Sequence, residues 1–146
     1  MRILIQRVKK AKVIDTESKE EREIGKGVVV FLGIKKDDNE ERIKWYVDKI
    51  LNLRIFPDEN GKFNYSVIDI KGEILVVSQF TLYGDVRKGR RPDFTMAEGF
   101  DRAKKFYEKF LNTLKGNYQN VKSGFFGKLM DVELLNWGPV TILIDD

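Results

Sequence analysis

The sequence predicts an α+β fold with a curled, barrel-like, mixed and mostly antiparallel sheet and two main helices, on three observations. Alternation of apolar and polar residues marks about six or seven strands scattered along the chain. Only two stretches repeat at helical spacing, and they do not alternate with the strands as a βαβ series would. The 146 residues have the length of one domain, 1–146, large enough to bury a core without metal or disulfide staples.

From the N-terminus, Arg2 to Ile14 alternates, with Ile3, Ile5 and Arg7 on one face and Leu4, Gln6 and Val8 on the other. Glu17 to Glu23 is charged and predicts a hairpin tip; Gly25-Lys26-Gly27 predicts a turn into a buried strand, Val28 to Ile34. Asp37 or Asp38 is the expected cap of the first helix, whose apolar face is Ile43, Val47, Ile50 and Leu51. Pro57-Asp58-Glu59-Asn60-Gly61 is a turn signal. Glu73 to Tyr83 predicts the next strand, and Gly84 to Pro92 a polar, basic loop. Thr95-Met96-Ala97-Glu98 has the form of a capping box starting the second helix, with Phe100, Ala103, Phe106, Phe110 and Leu114 as its apolar face. Strands near Asn117 to Lys122, Leu129 to Trp137 and Pro139 to Ile144 close the chain.

Composition removes whole classes of chemistry. There is no Cys and no His, so thiolate nucleophiles, cysteine-bound zinc, and Ser-His-Asp and Cys-His catalysis are all excluded. Scattered carboxylates lack ligand-like grouping, and no metal or cofactor is expected. No apolar run approaches the ~20 residues of a membrane span. Met1-Arg2-Ile3-Leu4-Ile5 enters a strand pattern directly instead of a signal peptide, so the expected place is the cytoplasm. A net charge of +4 and a pI near 9.2 are compatible with an anionic partner.

Three segments and one residue stand out. Ser78-Gln79-Phe80-Thr81 puts polar side chains into an apolar strand, with Gln79 and Thr81 on one face where an amide and a hydroxyl can meet one ligand. From the residues alone, bonds from all three to neighbouring backbone are the ordinary reading, as for buried Ser and Thr generally. Asn136-Trp137-Gly138-Pro139-Val140-Thr141 interrupts two apolar strands; from the residues alone it is an ordinary turn or strand break. Arg87-Lys88-Gly89-Arg90-Arg91-Pro92 offers Arg87, Lys88, Arg90 and Arg91 to phosphates, or is a solvated loop. Arg7 is a charge inside an alternating strand, either exposed on an edge or bracing something by hydrogen bonds.

In this order the segments resemble the D-aminoacyl-tRNA deacylase family, also called D-tyrosyl-tRNA deacylase. The resemblance runs through Ile5-Gln6-Arg7-Val8, Lys49 to Phe56, Gly61 to Ser66, Val77 to Tyr83, Lys88 to Pro92, Ser123 to Gly127 and Gly138 to Thr141. It implies the deacylase fold, a homodimer, and an active site at the subunit interface, with aminoacyl-tRNA as substrate and neither DNA nor a membrane as partner. Ser78, Gln79, Phe80 and Thr81 would line the pocket for the terminal adenosine and the ester. Gly138 and Pro139, joined by a cis peptide, would enter the partner's site and exclude L side chains; Arg7 would fix that motif. Backbone N–H groups near Gln79 and Phe80 would hold an oxyanion, leaving either Thr81 or the ribose 2′-hydroxyl to drive hydrolysis. The family usually has Asp where this chain has Trp137, and a different run before Met130. Three alternatives stand beside this: an editing module of the kind attached to archaeal threonyl-tRNA synthetases, a non-catalytic RNA-binding protein, and a plain interaction domain.

Overall fold

The computed structural model describes residues 1–145; Asp146, the last residue of the predicted domain, lies outside them. Strand β1 (Arg2–Asp15) organises the sheet. Along one edge it pairs antiparallel with β2 (Glu21–Ile24) and β3 (Gly27–Gly33), and along the other with β8 (Met130–Asp145). From β3 the sheet continues through β6 (Glu73–Ser78) to β7 (Val121–Ser123), both in parallel pairings. A separate hairpin joins β4 (Phe56–Pro57) to β5 (Phe63–Tyr65). The sheet is mixed and nearly closed, as predicted.

Both faces of β3 and β6 are buried, which is why their sequences read as unbroken apolar runs. One face packs Ile3, Ile5, Val30, Leu32, Ile74 and Val76 against helices α1 (Ile43–Asn52) and α2 (Phe100–Asn117). The other face gathers Val8, Val13, Val29, Leu75 and Val77 under half-buried Phe125, Met130, Val132 and Leu134, where the sheet curls over itself. Gly27 permits the parallel approach of β3 and β6. A Cβ there would stand 1.8 Å from the Glu73 carbonyl oxygen.

Several boundaries differ from those predicted. Residues 21–24 form a strand because the turn is made earlier, where the Asp15 carboxylate accepts from the Glu17 amide at 2.9 Å. The first helical segment is capped by Asn39, whose Oδ1 accepts from the Glu41 amide at 2.9 Å, and a short 3-10 turn, Glu40–Arg42, precedes α1. Asp38 is occupied elsewhere, by the Met1 ammonium at 2.5 Å and the Lys35 amide at 2.7 Å. Helix α2 starts at Phe100 with Gly99 as its cap. The expected capping box fails because Ala97 is held in a β-bridge with Lys35 and cannot be helical. Strand β6 stops at Ser78, level with the end of its partner β3. Because α2 runs on to Asn117, β7 begins only at Val121, and the last two predicted strands are one, β8. No helix among the described residues is long and apolar enough to cross a membrane.

Candidate active site

Ser78 ends β6 opposite Leu32, and the Gln79 amide donates to the Leu32 carbonyl at 2.8 Å. There the chain leaves the sheet, with Gln79 at φ −146° and ψ 76°, and winds a 3-10 turn over Phe80–Tyr83. Inside that turn the first donor is Leu82, to the Gln79 carbonyl at 3.2 Å. The amides of Phe80 and Thr81 come before it, at the open end. The Gln79 amide is therefore spent on the sheet, and of the two backbone donors expected near the ester, Phe80 is the one at the open end. Gln79 and Thr81 do meet, across the turn instead of along a strand face: Gln79 Nε2 donates to Thr81 Oγ1.

Ser78, Gln79 and Phe80 form the polar lip of a cavity of about 470 Å³. Its other walls are largely apolar, with Ile34, Phe100, Phe126, Met130 and Val132 among them. The size and the ratio of apolar wall to polar lip are those of a small-molecule pocket. Glu98 also lines it. Burial pushes its carboxyl up, but the Gly99 amide, Arg102 and the Asp37 amide outweigh that and hold it below the usual carboxylate range. Those contacts tie the Glu98 carboxylate to the start of α2 and to the 37–38 loop.

The second segment forms a wide bulge in β8. Asn136 pairs with Val8 and Thr141 with Gln6, so residues 137–140 on β8 face Arg7 alone on β1. Asn136 closes the neck: its Oδ1 accepts from the Val140 amide at 2.9 Å and its Nδ2 donates to the Val140 carbonyl at 3.1 Å. Gly138-Pro139 is a cis peptide at the exposed tip. Arg7, only 5% exposed, donates from Nε to the Trp137 carbonyl at 2.7 Å and from Nη1 to the Ile55 carbonyl at 2.6 Å. Burial lowers its pKa from the usual guanidinium value. Gly138 has φ +147°, and a Cβ on it would meet Arg7 Nη2 and Val140, both at 2.8 Å.

The two segments do not meet within one chain. From Gly138 the path to Ser78 crosses Arg7, Val28 and Ile74, then runs four residues along β6. That is on the order of 15–20 Å for a flat sheet. Among the described residues lining the cavity, none comes from 136–141, and Thr81 is also absent from the lining.

In the basic loop Arg87 is taken up by Asp85, with contacts from 2.6 to 3.1 Å between the two side chains. Lys88, Arg90 and Arg91 project from an exposed turn closed by the Asp85–Asp93 bridge. Sequence reasoning passed over Asn136, Glu98 and Phe100. Asn136 had one usable signal, a side-chain amide two positions before a Gly-Pro strand break; Glu98 and Phe100 looked like an ordinary cap and an apolar helix face.

The family model described as D-Tyr-tRNA(Tyr) deacylase matches residues 4–145. The D-aminoacyl-tRNA deacylase of Aquifex aeolicus is 59% identical over 145 residues, covering 99% of this chain and 97% of that protein. The protein of the same name from Thermosipho africanus is 56% identical, with the same coverage. Among solved structures, a c-Myc DNA Unwinding Element Binding Protein superposes with a TM-score of 0.93 at 43% identity, over 100% of this chain and 99% of that one. A probable eukaryotic D-amino acid tRNA deacylase shares the fold, with a TM-score of 0.86 at 19% identity over 99% and 98%. The match runs from β1 to the end of β8 and takes in both the cavity lip and the bulge, and the chain belongs to the D-Tyr-tRNA(Tyr) deacylase family.

Proposed function

We propose that this chain is a D-aminoacyl-tRNA deacylase, hydrolysing the ester between a D-amino acid, or glycine, and the 3′ adenosine of tRNA. The observation that carries the reading is the 3-10 turn whose open end, at Phe80, sits on the lip of an otherwise apolar cavity. An amide donor so placed stabilises the oxyanion that forms when water adds to the acyl carbon. Losing one such donor typically costs about 10²–10³ in rate. Collapse of that intermediate breaks the bond to the ribose 3′-oxygen and frees the amino acid and the 3′-hydroxyl.

Activation of the water is assigned to the substrate. The chain contains no His or Cys, and the Thr81 hydroxyl is engaged by the Gln79 amide. An amide is not a base whichever of its atoms faces Thr81, so Thr81 is an unactivated hydroxyl. The free 2′-hydroxyl of the terminal ribose is the remaining group beside the ester, and the protein's contribution is positioning.

Chiral selection is assigned to Gly138-Pro139 of a second copy. What supports this is that the pair is exposed at a braced bulge and absent from its own cavity. Strand β8 pairs with β1 alone among the described residues, and Leu129, Leu135 and Leu143 are exposed on or beside it. A long unpaired edge with exposed leucines favours a partner strand surface. Backbone carbonyls at the bulge tip would hold the substrate's α-amino group and leave no room for an L side chain. Exclusion by collision can be strict. It ignores side-chain identity, so glycine and many D-amino acids would pass, a proofreading role in the cytoplasm. Lys88, Arg90 and Arg91 would meet tRNA phosphates.

A second reading, nucleic-acid binding without catalysis, is favoured by the name of the 43% identical neighbour and by those three cations. One assay separates the readings: purified protein with D-Tyr-tRNA and L-Tyr-tRNA, each with a normal or a 2′-deoxy 3′ end. The expected result is hydrolysis of normal D-Tyr-tRNA only, with Thr81→Ala retaining substantial activity. Equal loss of both esters, or hydrolysis that needs Thr81 and not the 2′-hydroxyl, contradicts the mechanism. Salt-sensitive binding with no hydrolysis supports the second reading.

A further inference from the structure

We propose that Trp137 and Phe63 are positioning residues for chiral selection, their rings enclosing the Arg7 guanidinium and fixing its grip on the β8 bulge. The proposal rests on the deacylase reading above. Arg7 Cζ lies 4.7 Å from the centre of the Trp137 ring and 5.4 Å from that of Phe63. The edge of the guanidinium is directed at the Trp137 and Ile55 carbonyls, at 2.7 and 2.6 Å. A guanidinium presents donors at its edge and a weakly hydrated face to aromatic rings. Both kinds of contact are used at once here.

Trp137 is bound to Arg7 twice, through its carbonyl and through its ring. Rotation of the backbone at 137 would disturb both contacts together, and 137 immediately precedes Gly138, whose position is already tight against Arg7 Nη2. The indole is itself braced, by Phe56 at 5.9 Å between ring centres and by Lys26 Nζ at 5.5 Å. Phe63 approaches from β5, an element with no other part in the bulge, and it is 57% exposed. An aromatic ring left that exposed is not explained by core packing. Its place over a buried cation explains it.

A loosened Arg7 lets the bulge shift by a fraction of an ångström, and the first property to suffer is rejection of the L enantiomer. The test is the ratio of kcat/KM on D-Tyr-tRNA to that on L-Tyr-tRNA, for Trp137→Phe, Trp137→Leu and Phe63→Leu, with thermal unfolding followed alongside. Phe at 137 keeps a ring over the cation and should keep the ratio. Leu keeps apolar bulk without the ring, and each Leu variant should lower the ratio about tenfold, between the scales of an exposed and a desolvated cation–π contact. Packing alone would move the unfolding temperature and spare the ratio. Leu variants that discriminate as well as wild type and Trp137→Phe overturn the proposal. Phe63→Leu, a surface change, decides the matter if Trp137→Leu does not fold. A wild-type protein with no preference for the D ester would sink the deacylase reading first, before any variant is compared.

Discussion

Arg7 shows what a single residue can and cannot reveal. A charge on the inward face of an alternating strand must be satisfied, and the sequence marks it for that reason alone. Its hydrogen-bond partners are two main-chain carbonyls, which leave no trace in residue identity. Asp85 gives the opposite lesson. The loop reads as four cations, yet the carboxylate two positions before Arg87 pairs with one of them, at 2.6 Å. The hydrogen bonds from Arg87 hold the Asp85 carboxyl down at about 2. Because that is below the unfolded value of about 3.9, its contribution to stability is fully present above that value. It is lost as pH falls from there through about 2. An NMR titration of the Asp85 carboxyl should therefore find a midpoint near 2, rising in Arg87→Ala, where the backbone N–H at 87 still donates to the carboxylate. A midpoint near 4 in the unaltered protein would mean that the pair does not persist in solution, and that Arg87 is as available as its neighbours.

At the level of elements, strands and helices were legible and their ends were not. Periodicity found β1, β3, β6, α1 and α2, because each buries a regular face. It continued β6 through Tyr83, since Phe80 and Leu82 extend one face of the strand pattern and Thr81 and Tyr83 the other. What ends β6 is the end of β3 and a close contact over Gly33, where a Cβ would lie 3.1 Å from the Gln79 carbonyl oxygen and from Leu82 Cβ. Gly33→Ala should thus push the 3-10 turn outward, moving the Phe80 amide off the ester. The expected result is a drop of about tenfold in kcat on D-Tyr-tRNA, with a stability loss of about 1 kcal/mol, at the low end for overpacking. Single-turnover rates together with urea unfolding check both. Full activity with lowered stability would show that the turn does not carry the oxyanion donor. In β8 the Pro announced a break, and the structure instead keeps one strand by letting Asn136 stand in for ladder bonds. A side chain replacing backbone is local, and local sequence could have shown it.

The whole molecule decides what the site is. Read along the chain, nothing in Ser78 to Thr81 or Gly138-Pro139 says whether they meet, and only the resemblance to a known family places the second pair in a partner's site. In the folded chain they stand on different parts of the sheet, with Arg7, β3 and β6 between them. No periodicity or motif contains that separation, because it is a property of how β8 lies along β1 and not of either segment. Nor does it contain which surface a second copy would cover, although the unpaired edge of β8 and its exposed leucines mark where. The catalytic lip and the chiral barrier should therefore act across two chains. Mixing two defective variants measures this most directly. Phe80→Pro removes the amide donor, and Gly138→Val collides with Arg7 and Val140. Co-refolded in equal amounts, they should regain D-selective hydrolysis at about a quarter of the wild-type sites, because half of the dimers would be mixed, each with one intact site. No recovery above the separate variants, with mixed dimers verified, would place each site within a single chain and contradict the account.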